Sequence, residues 1–231
     1  MAEILAIIHP DGGTSGVLVD GARDNSMTIE EWCPALSAEP PSPLESYSGL
    51  LVLGGDENID EVDRYPYLEK EFEIVNDWIE QERPLFGVCL GAQMIAHLRG
   101  GSVFKASEKE LGWIEFEQLP EALDDPIASF GDQTLTGLLW HSYACEPPPD
   151  ATVLARNDLC VQAFRLGEAW AFQHHPEVDQ QILDEWLEPL HKGTSQEQKD
   201  AALIDGGLAD HLPAWNEYGR ELFRRFAKRC G

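Results

Sequence analysis

Cys89, His175 and Glu177 are the residues whose types and spacing can carry nucleophilic chemistry. Cys89 lies in Pro84-Leu85-Phe86-Gly87-Val88-Cys89-Leu90-Gly91-Ala92-Gln93. Pro84 stands where a strand tolerates proline, and Leu85 to Val88 is a short apolar run. From Leu90 the apolar residues Met94, Ile95 and Leu98 fall at helical spacing until Gly100-Gly101 ends the pattern. The cysteine therefore marks a strand-to-helix junction, with Gly87 and Gly91 two residues to either side. Such glycines allow a sharp turn that lifts the middle side chain above the sheet edge, the geometry of a nucleophile elbow. A thiol there faces the positive end of the following helix, which favours thiolate. A cysteine that merely packs is the bland alternative, and the flanking glycines favour the nucleophile.

A thiol nucleophile needs a base. Ala169-Trp170-Ala171-Phe172-Gln173 reads as a buried strand and runs into His174-His175-Pro176-Glu177. If the chain stays extended through Pro176, His175 and Glu177 share a face, because strand side chains alternate. Glu177 then accepts from one ring nitrogen and leaves the other for the thiol. His174 points the opposite way. His141 is a weaker candidate base, and His9 at the end of the first strand reads as structural.

The elements that position these residues read as alternating strands and helices. Glu3 to His9 is a near-continuous apolar run, expected as a central strand of a parallel sheet. A glycine-rich turn, Asp11 to Gly16, precedes a short helix and lacks the phosphate-loop pattern. Met27 to Trp32 and Gly49 to Leu53 are further strands, the latter ending in Gly54-Gly55. Pro66 to Arg83 carries Leu68, Phe72, Val75, Trp78 and Ile79 at helical spacing. Strands follow at Gly101–Phe104 and Leu111–Phe116, then Leu138 to Tyr143 running into a loop. Ala151–Arg156, Cys160–Leu166 and Ala169–Gln173 form an antiparallel set. Val178 to Leu190 reads as a helix, His191 to Gln198 as a linker, and Leu208 to Cys230 as a final helix interrupted near Pro213. Its Trp215, Leu222 and Phe226 stripe suits either core or a docking face. The fold class is α/β: a three-layer sandwich with a flavodoxin-like, doubly wound, mostly parallel sheet and an antiparallel extension. One domain over residues 1–190 carries a helical extension at 191–231 packed on it.

With Gly-Val-Cys-Leu-Gly-Ala-Gln at 87–93 and Gln-His-His-Pro-Glu at 173–177, the chain resembles the class I glutamine amidotransferases. It is most similar to stand-alone members resembling the glutaminase domain of GMP synthetase, over about Leu50 to Leu190. The resemblance implies a γ-glutamyl amide as substrate and a Cys89–His175–Glu177 triad. It implies an oxyanion hole from the N–H groups of Gly55 and Leu90, and substrate contacts at Gly54, Gln93, Ser142 and Tyr143. It implies no metal and no cofactor. Two departures stand out: Asp56 follows Gly54-Gly55 where the family usually has proline, and His174 precedes the catalytic histidine. The absence of an ATP-pyrophosphatase loop or Walker motif leaves two destinations for the nitrogen. Either a separate synthase subunit receives it, or the chain acts alone on γ-glutamyl peptides. A PfpI-type peptidase would carry histidine immediately after the cysteine, where Leu90 stands, and a non-catalytic relative would have lost a triad member.

Composition narrows the partners. With 42 acidic against 16 basic residues the net charge is −26, which disfavours nucleic acid and anionic membranes. No apolar run reaches 18 residues, so no membrane-spanning helix is expected. Met1-Ala2-Glu3-Ile4-Leu5 lacks the basic head of a signal peptide. The scattered cysteines at 33, 89, 145, 160 and 230 form no C-x-x-C pair, pointing to a reducing cytoplasm rather than to zinc or disulfides.

Overall fold

The computed structural model describes residues 3–131 and 134–231. Met1 and Ala2, at the head of the segment read as lacking a leader, lie outside them. The described strands are β1 (Glu3–Ile7), β2 (Thr28–Trp32), β3 (Gly49–Val52), β4 (Leu85–Val88), β5 (Ser102–Gln118), β6 (Thr134–Glu146), β7 (Thr152–Arg156), β8 (Val161–Leu166) and β9 (Ala169–Phe172). The helices are α1 (Leu18–Arg23), α2 (Tyr67–Glu80), α3 (Leu90–Leu98), α4 (Gln180–Lys192) and α5 (Ser195–Cys230).

The strands form one sheet in the order β2-β1-β3-β4-β9-β8-β7-β5-β6. Its first five members are parallel neighbours, and the rest pair antiparallel. The parallel part has the flavodoxin-like order, with its crevice at the carboxyl ends of the strands. β1 is the second strand from the edge, not a central one; β3, β4 and β9 take the middle. Those three are buried along their whole length, as strands covered on both faces must be.

Side-chain alternation divides the core in two. Ile4, Ala6, Leu51, Phe86, Val88, Trp170 and Phe172 pack under α1, α4 and α5. Leu5, Ile7, Leu50, Val52, Leu85, Ala169 and Ala171 pack under α2 and α3. This is a three-layer sandwich.

Three expectations change. β5 is continuous where two strands were expected, because it pairs along its length with β6 and absorbs a register shift between Lys105 and Glu110. Ser142 and Tyr143 consequently lie inside β6, not in a loop. The expected linker at 191–198 shrinks to Gly193 and Thr194, and α5 runs unbroken from Ser195 through Pro213. Thr194 and Glu197 form a capping box that starts it, and buried Ala201 and Ile204 hold the first half on the core. Packing on both sides of Pro213 outweighs the hydrogen bond that proline removes.

The apolar stripe of α5 is core. Phe223 and Phe226 each meet Phe86 at 5.3 Å between ring centroids, and Trp215 and Leu222 are buried. The helix also grips the chain after β9. Trp215 Nε1 donates to the His175 carbonyl at 2.8 Å, and Asn216 Nδ2 donates to that of Val178 at 2.7 Å. Gly219 packs so tightly that a Cβ would collide with the Pro176 carbonyl. Gly219→Ala is therefore expected to destabilise the protein by about 1–3 kcal/mol, as overpacking does. A lowered urea midpoint at unchanged m-value checks this; an unshifted midpoint contradicts the contact.

Candidate active site

β4 ends at Val88, and Cys89 precedes the first turn of α3 with φ 48° and ψ −101°. Left-handed φ in a residue with a Cβ is uncommon and concentrates at functional sites. The Cys89 N–H donates to the Phe172 carbonyl at 2.8 Å, tying the turn to β9. A Cβ on Gly91 would strike the Val52 backbone, and one on Gly87 would meet Gly91. Only glycines let the helix start this close to the sheet. The thiol thus sits at the end of α3 where unsatisfied N–H groups make a positive field.

The segment after β9 does not stay extended. It bends at Gln173–His174 and turns at Pro176–Glu177, yet His175 and Glu177 still meet, with Nδ1 2.7 Å from Glu177 Oε1. The His175 N–H also donates to the Leu138 carbonyl at 3.0 Å, and the edge of the ring meets Trp186 with centroids 5.2 Å apart. His175 Nε2 has no partner of its own. A Cβ built on Gly54 would stand 3.1 Å from His175 Cε1 and 3.4 Å from Cys89 Cβ, so both side chains press on one glycine. Burial pulls the His175 pKa down, but the Glu177 charge and the nearby Cys89 sulfur outweigh it and hold the ring well above the usual histidine range.

His174 faces the other way, as expected. It is fully buried, stacked on Phe116 at 4.7 Å, and its Nε2 lies 3.2 Å from the Tyr218 hydroxyl. Burial, then the charge of His175, lowers its pKa to about 3. It is a neutral core residue.

Two cavities meet at Cys89. One of about 310 Å³ runs past Gly54 and His175 to Trp186, Pro189 and Leu190. The other, of about 290 Å³, is lined by Leu90, Gln93, Ser142 and Tyr143 among others. Gly55, Asp56 and Trp140 border both. All nine residues singled out in the sequence thus gather here, with Glu177 behind His175. Gln93 is nearly buried, its amide donating to the Tyr143 carbonyl at 3.2 Å and to Gln173 Oε1 at 3.3 Å. Gln173, which sequence reasoning passed over, also donates to Cys89 Sγ at 3.5 Å. Its place just before His174 was the available signal.

His141 also lines the second cavity, but its Nε2 lies 3.1 Å from Glu110 Oε2, in a buried group behind it. Potential ligand atoms of Glu110, His141 and Cys160 lie within 4.8 Å of one another. These are metal-ligand types, but the Glu110 carboxylate already accepts from Asn157 and Gln162 at 2.5 and 2.9 Å. Burial, and next the Glu110 charge, push the Cys160 thiol pKa up, which keeps its proton on.

Comparisons with known proteins show the family. The chain belongs to the class I glutamine amidotransferase family, whose model, "Glutamine amidotransferase class-I", matches residues 21–188. A glutamine amidotransferase-like protein of Salmonella typhimurium is 29% identical over 202 residues, covering 84% of this chain and 82% of the relative. One subunit of a glutamine-hydrolysing GMP synthase from Pyrococcus abyssi is 27% identical over 209 residues, covering 82% of each. The crystal structure of a glutamine amidotransferase from Thermotoga maritima superimposes with a TM-score of 0.88 at 26% identity, covering 98% of both chains. The fold is accordingly that of the class I glutamine amidotransferases.

The environment of His174 has a measurable consequence. Below pH 6.5 the unfolded chain takes up a proton at His174 that the folded chain refuses until about pH 3. Its contribution is therefore intact above pH 6.5 and lost as the pH falls through that window. His174→Gln keeps a hydrogen-bonding partner for Tyr218 without titrating. Stability of the variant should fall less steeply with acid than that of the wild type, with kcat little changed. Parallel stability curves from denaturant titrations contradict the assignment.

Proposed function

We propose that the chain hydrolyses a γ-glutamyl amide, in the simplest case glutamine to glutamate and ammonia, through a γ-glutamyl thioester on Cys89. The observation that carries this reading is a strained elbow cysteine beside a histidine ring whose far nitrogen is held by a buried carboxylate. His175 takes the proton of the Cys89 thiol, so that the sulfur attacks as thiolate. Sγ attacks the side-chain carbonyl carbon, and the N–H groups of Gly55 and Leu90 receive the oxyanion. His175 Nε2–H protonates the departing nitrogen as the C–N bond breaks, leaving the thioester. Water then adds to the thioester carbon, losing a proton to Nε2, and the sulfur leaves as thiolate. Glu177 accepts from Nδ1–H throughout. Gly54, Gln93, Ser142 and Tyr143 hold the glutamyl portion. No step calls for a metal or cofactor.

A second reading, an autonomous γ-glutamyl peptide hydrolase, is favoured by the cavity on the Trp186, Pro189 and Leu190 side. It offers space for a leaving group larger than ammonia. A separate synthase subunit remains the partner under the first reading, by likeness to the Pyrococcus relative. That partner would need a face other than the apolar stripe of α5, which is core. Among the described residues no helix is long and apolar enough to cross a membrane. All five cysteines are free, which supports a cytoplasmic setting, and the acidic surface argues against nucleic-acid partners.

The test is glutamate release by the isolated chain from glutamine and from γ-glutamyl dipeptides. Turnover should vanish in Cys89→Ala and fall roughly 10⁴-fold in His175→Ala, with a smaller loss in Glu177→Gln. Faster release from the dipeptides selects the autonomous reading. Activity surviving in Cys89→Ala overturns both.

A further inference from the structure

His9 follows β1 and packs beneath Gly54 and Gly55, 2% exposed. Its Nδ1 is 3.0 Å from the Gly54 carbonyl oxygen, and its Nε2 is 3.1 Å from Glu71 Oε2 on α2. The His9 and Glu71 side chains are wholly buried. The partners settle the donor at one end of the ring. A carbonyl can only accept, so Nδ1 carries a hydrogen wherever the proton between Nε2 and Glu71 resides. Burial opposes charge on His9, but the Glu71 hydrogen bond and carboxylate outweigh it and raise its pKa.

The Gly54 carbonyl is also enclosed from the other side. The Gly12 N–H donates to the His9 carbonyl at 3.1 Å, and the turn this closes brings Gly12 so near that a Cβ would collide with Gly54 O. In a planar trans peptide the C=O of one residue and the N–H of the next point in opposite directions, and no described peptide bond is cis. Pinning Gly54 O towards His9 therefore aims the Gly55 N–H away from it. Gly55 borders both cavities that meet at Cys89. Asp56, not proline, follows, so no pyrrolidine ring restricts Gly55, and two consecutive glycines leave this peptide free to rotate unless something holds it.

We propose that His9 is a positioning residue for acyl transfer: Glu71 orients the ring, and its Nδ1–H fixes the Gly54–Gly55 peptide so that the Gly55 N–H meets the developing oxyanion. This deepens the reading of Cys89 as an acyl-transfer nucleophile and rests on it. A buried ion pair is weak evidence for stability, since desolvation offsets its attraction; holding one peptide in one orientation is a use that fits its position.

Two probes of Cys89 separate positioning from support of the fold. p-Nitrophenyl acetate transfers its acetyl group to the sulfur and releases nitrophenolate. That reaction passes through an oxyanion yet needs no γ-glutamyl recognition. Iodoacetamide alkylates the same sulfur with loss of iodide and forms no oxyanion. Both rates are measured on the full chain, with the Cys89→Ala background subtracted.

In His9→Leu, acylation should fall on the order of 10²-fold while alkylation stays at the wild-type rate. His9→Asn puts an amide N–H near the place of Nδ1 and should recover most of the acylation, whereas His9→Gln, whose amide reaches towards Glu71, should not. If the leucine variant fails to fold, the contrast between Asn and Gln decides. Wild-type acylation in His9→Leu, a parallel loss of acylation and alkylation, or equal recovery by Asn and Gln would each overturn the proposal. Should the wild type turn over neither glutamine nor γ-glutamyl dipeptides, the substrate reading fails, and the split between ester and iodoacetamide still decides the role of His9.

Discussion

Parallel pairing of β4 with β9 sets Val88 opposite Phe172, and the rest of the site depends on that register. One residue beyond it the Cys89 N–H reaches the Phe172 carbonyl, so the elbow and the histidine segment leave the sheet side by side. A slip of one residue would put Phe86 and Phe172, in contact at 4.7 Å, on opposite faces of the sheet. The aromatic core under α5 therefore fixes the separation of nucleophile and base. α5 reinforces it through the Trp215 bond to His175 and the contact of Gly219 with Pro176.

Within that frame the two adjacent histidines have opposite electrostatics. His175 has a carboxylate on one nitrogen and a thiol near the other, which stabilise its charge despite burial. His174, surrounded by Phe116, Trp215 and Tyr218, has no carboxylate to stabilise a proton, and burial outweighs its one favourable backbone contact at Gln162. A backbone bend between strand and turn suffices to separate a proton carrier from a core residue. The buried His9–Glu71 pair packs beneath Gly54 and Gly55, where His9 has the Gly54 carbonyl to hold.

Much of this was legible in the sequence, for physical reasons that differ from residue to residue. Cys89 could be read because glycines two residues to either side coincide with a change from strand to helical periodicity. His175 and Glu177 could be paired although the extended geometry assumed for them is replaced by a turn. Their two-residue spacing allows the contact in either conformation. The strand setting of Ser142 was hidden because the β5–β6 ladder is set by pairing across the hairpin, not by local pattern. The start of α5, Ser195 to Gln198, reads as linker from the sequence because its polar residues weaken the helical signal, and Gly206-Gly207 interrupts the pattern further on. Only packing reveals Ile204 in the core, with its carbonyl accepting from Trp113 Nε1 at 3.0 Å. His9 carried no sign of its partner, since Glu71 lies on α2 and only the fold brings them together.

The central claim is a covalent glutamyl group on one sulfur. It is tested most directly by acid-quenching the protein during incubation with glutamine or a γ-glutamyl dipeptide, then measuring intact and peptide masses. The account predicts a single added γ-glutamyl group, located on the peptide containing Cys89, labile to hydroxylamine and absent from Cys89→Ala. Glutamate formation with no such adduct, even in a Glu177→Gln variant slowed in thioester hydrolysis, or an adduct on Cys160 or another cysteine, would contradict it.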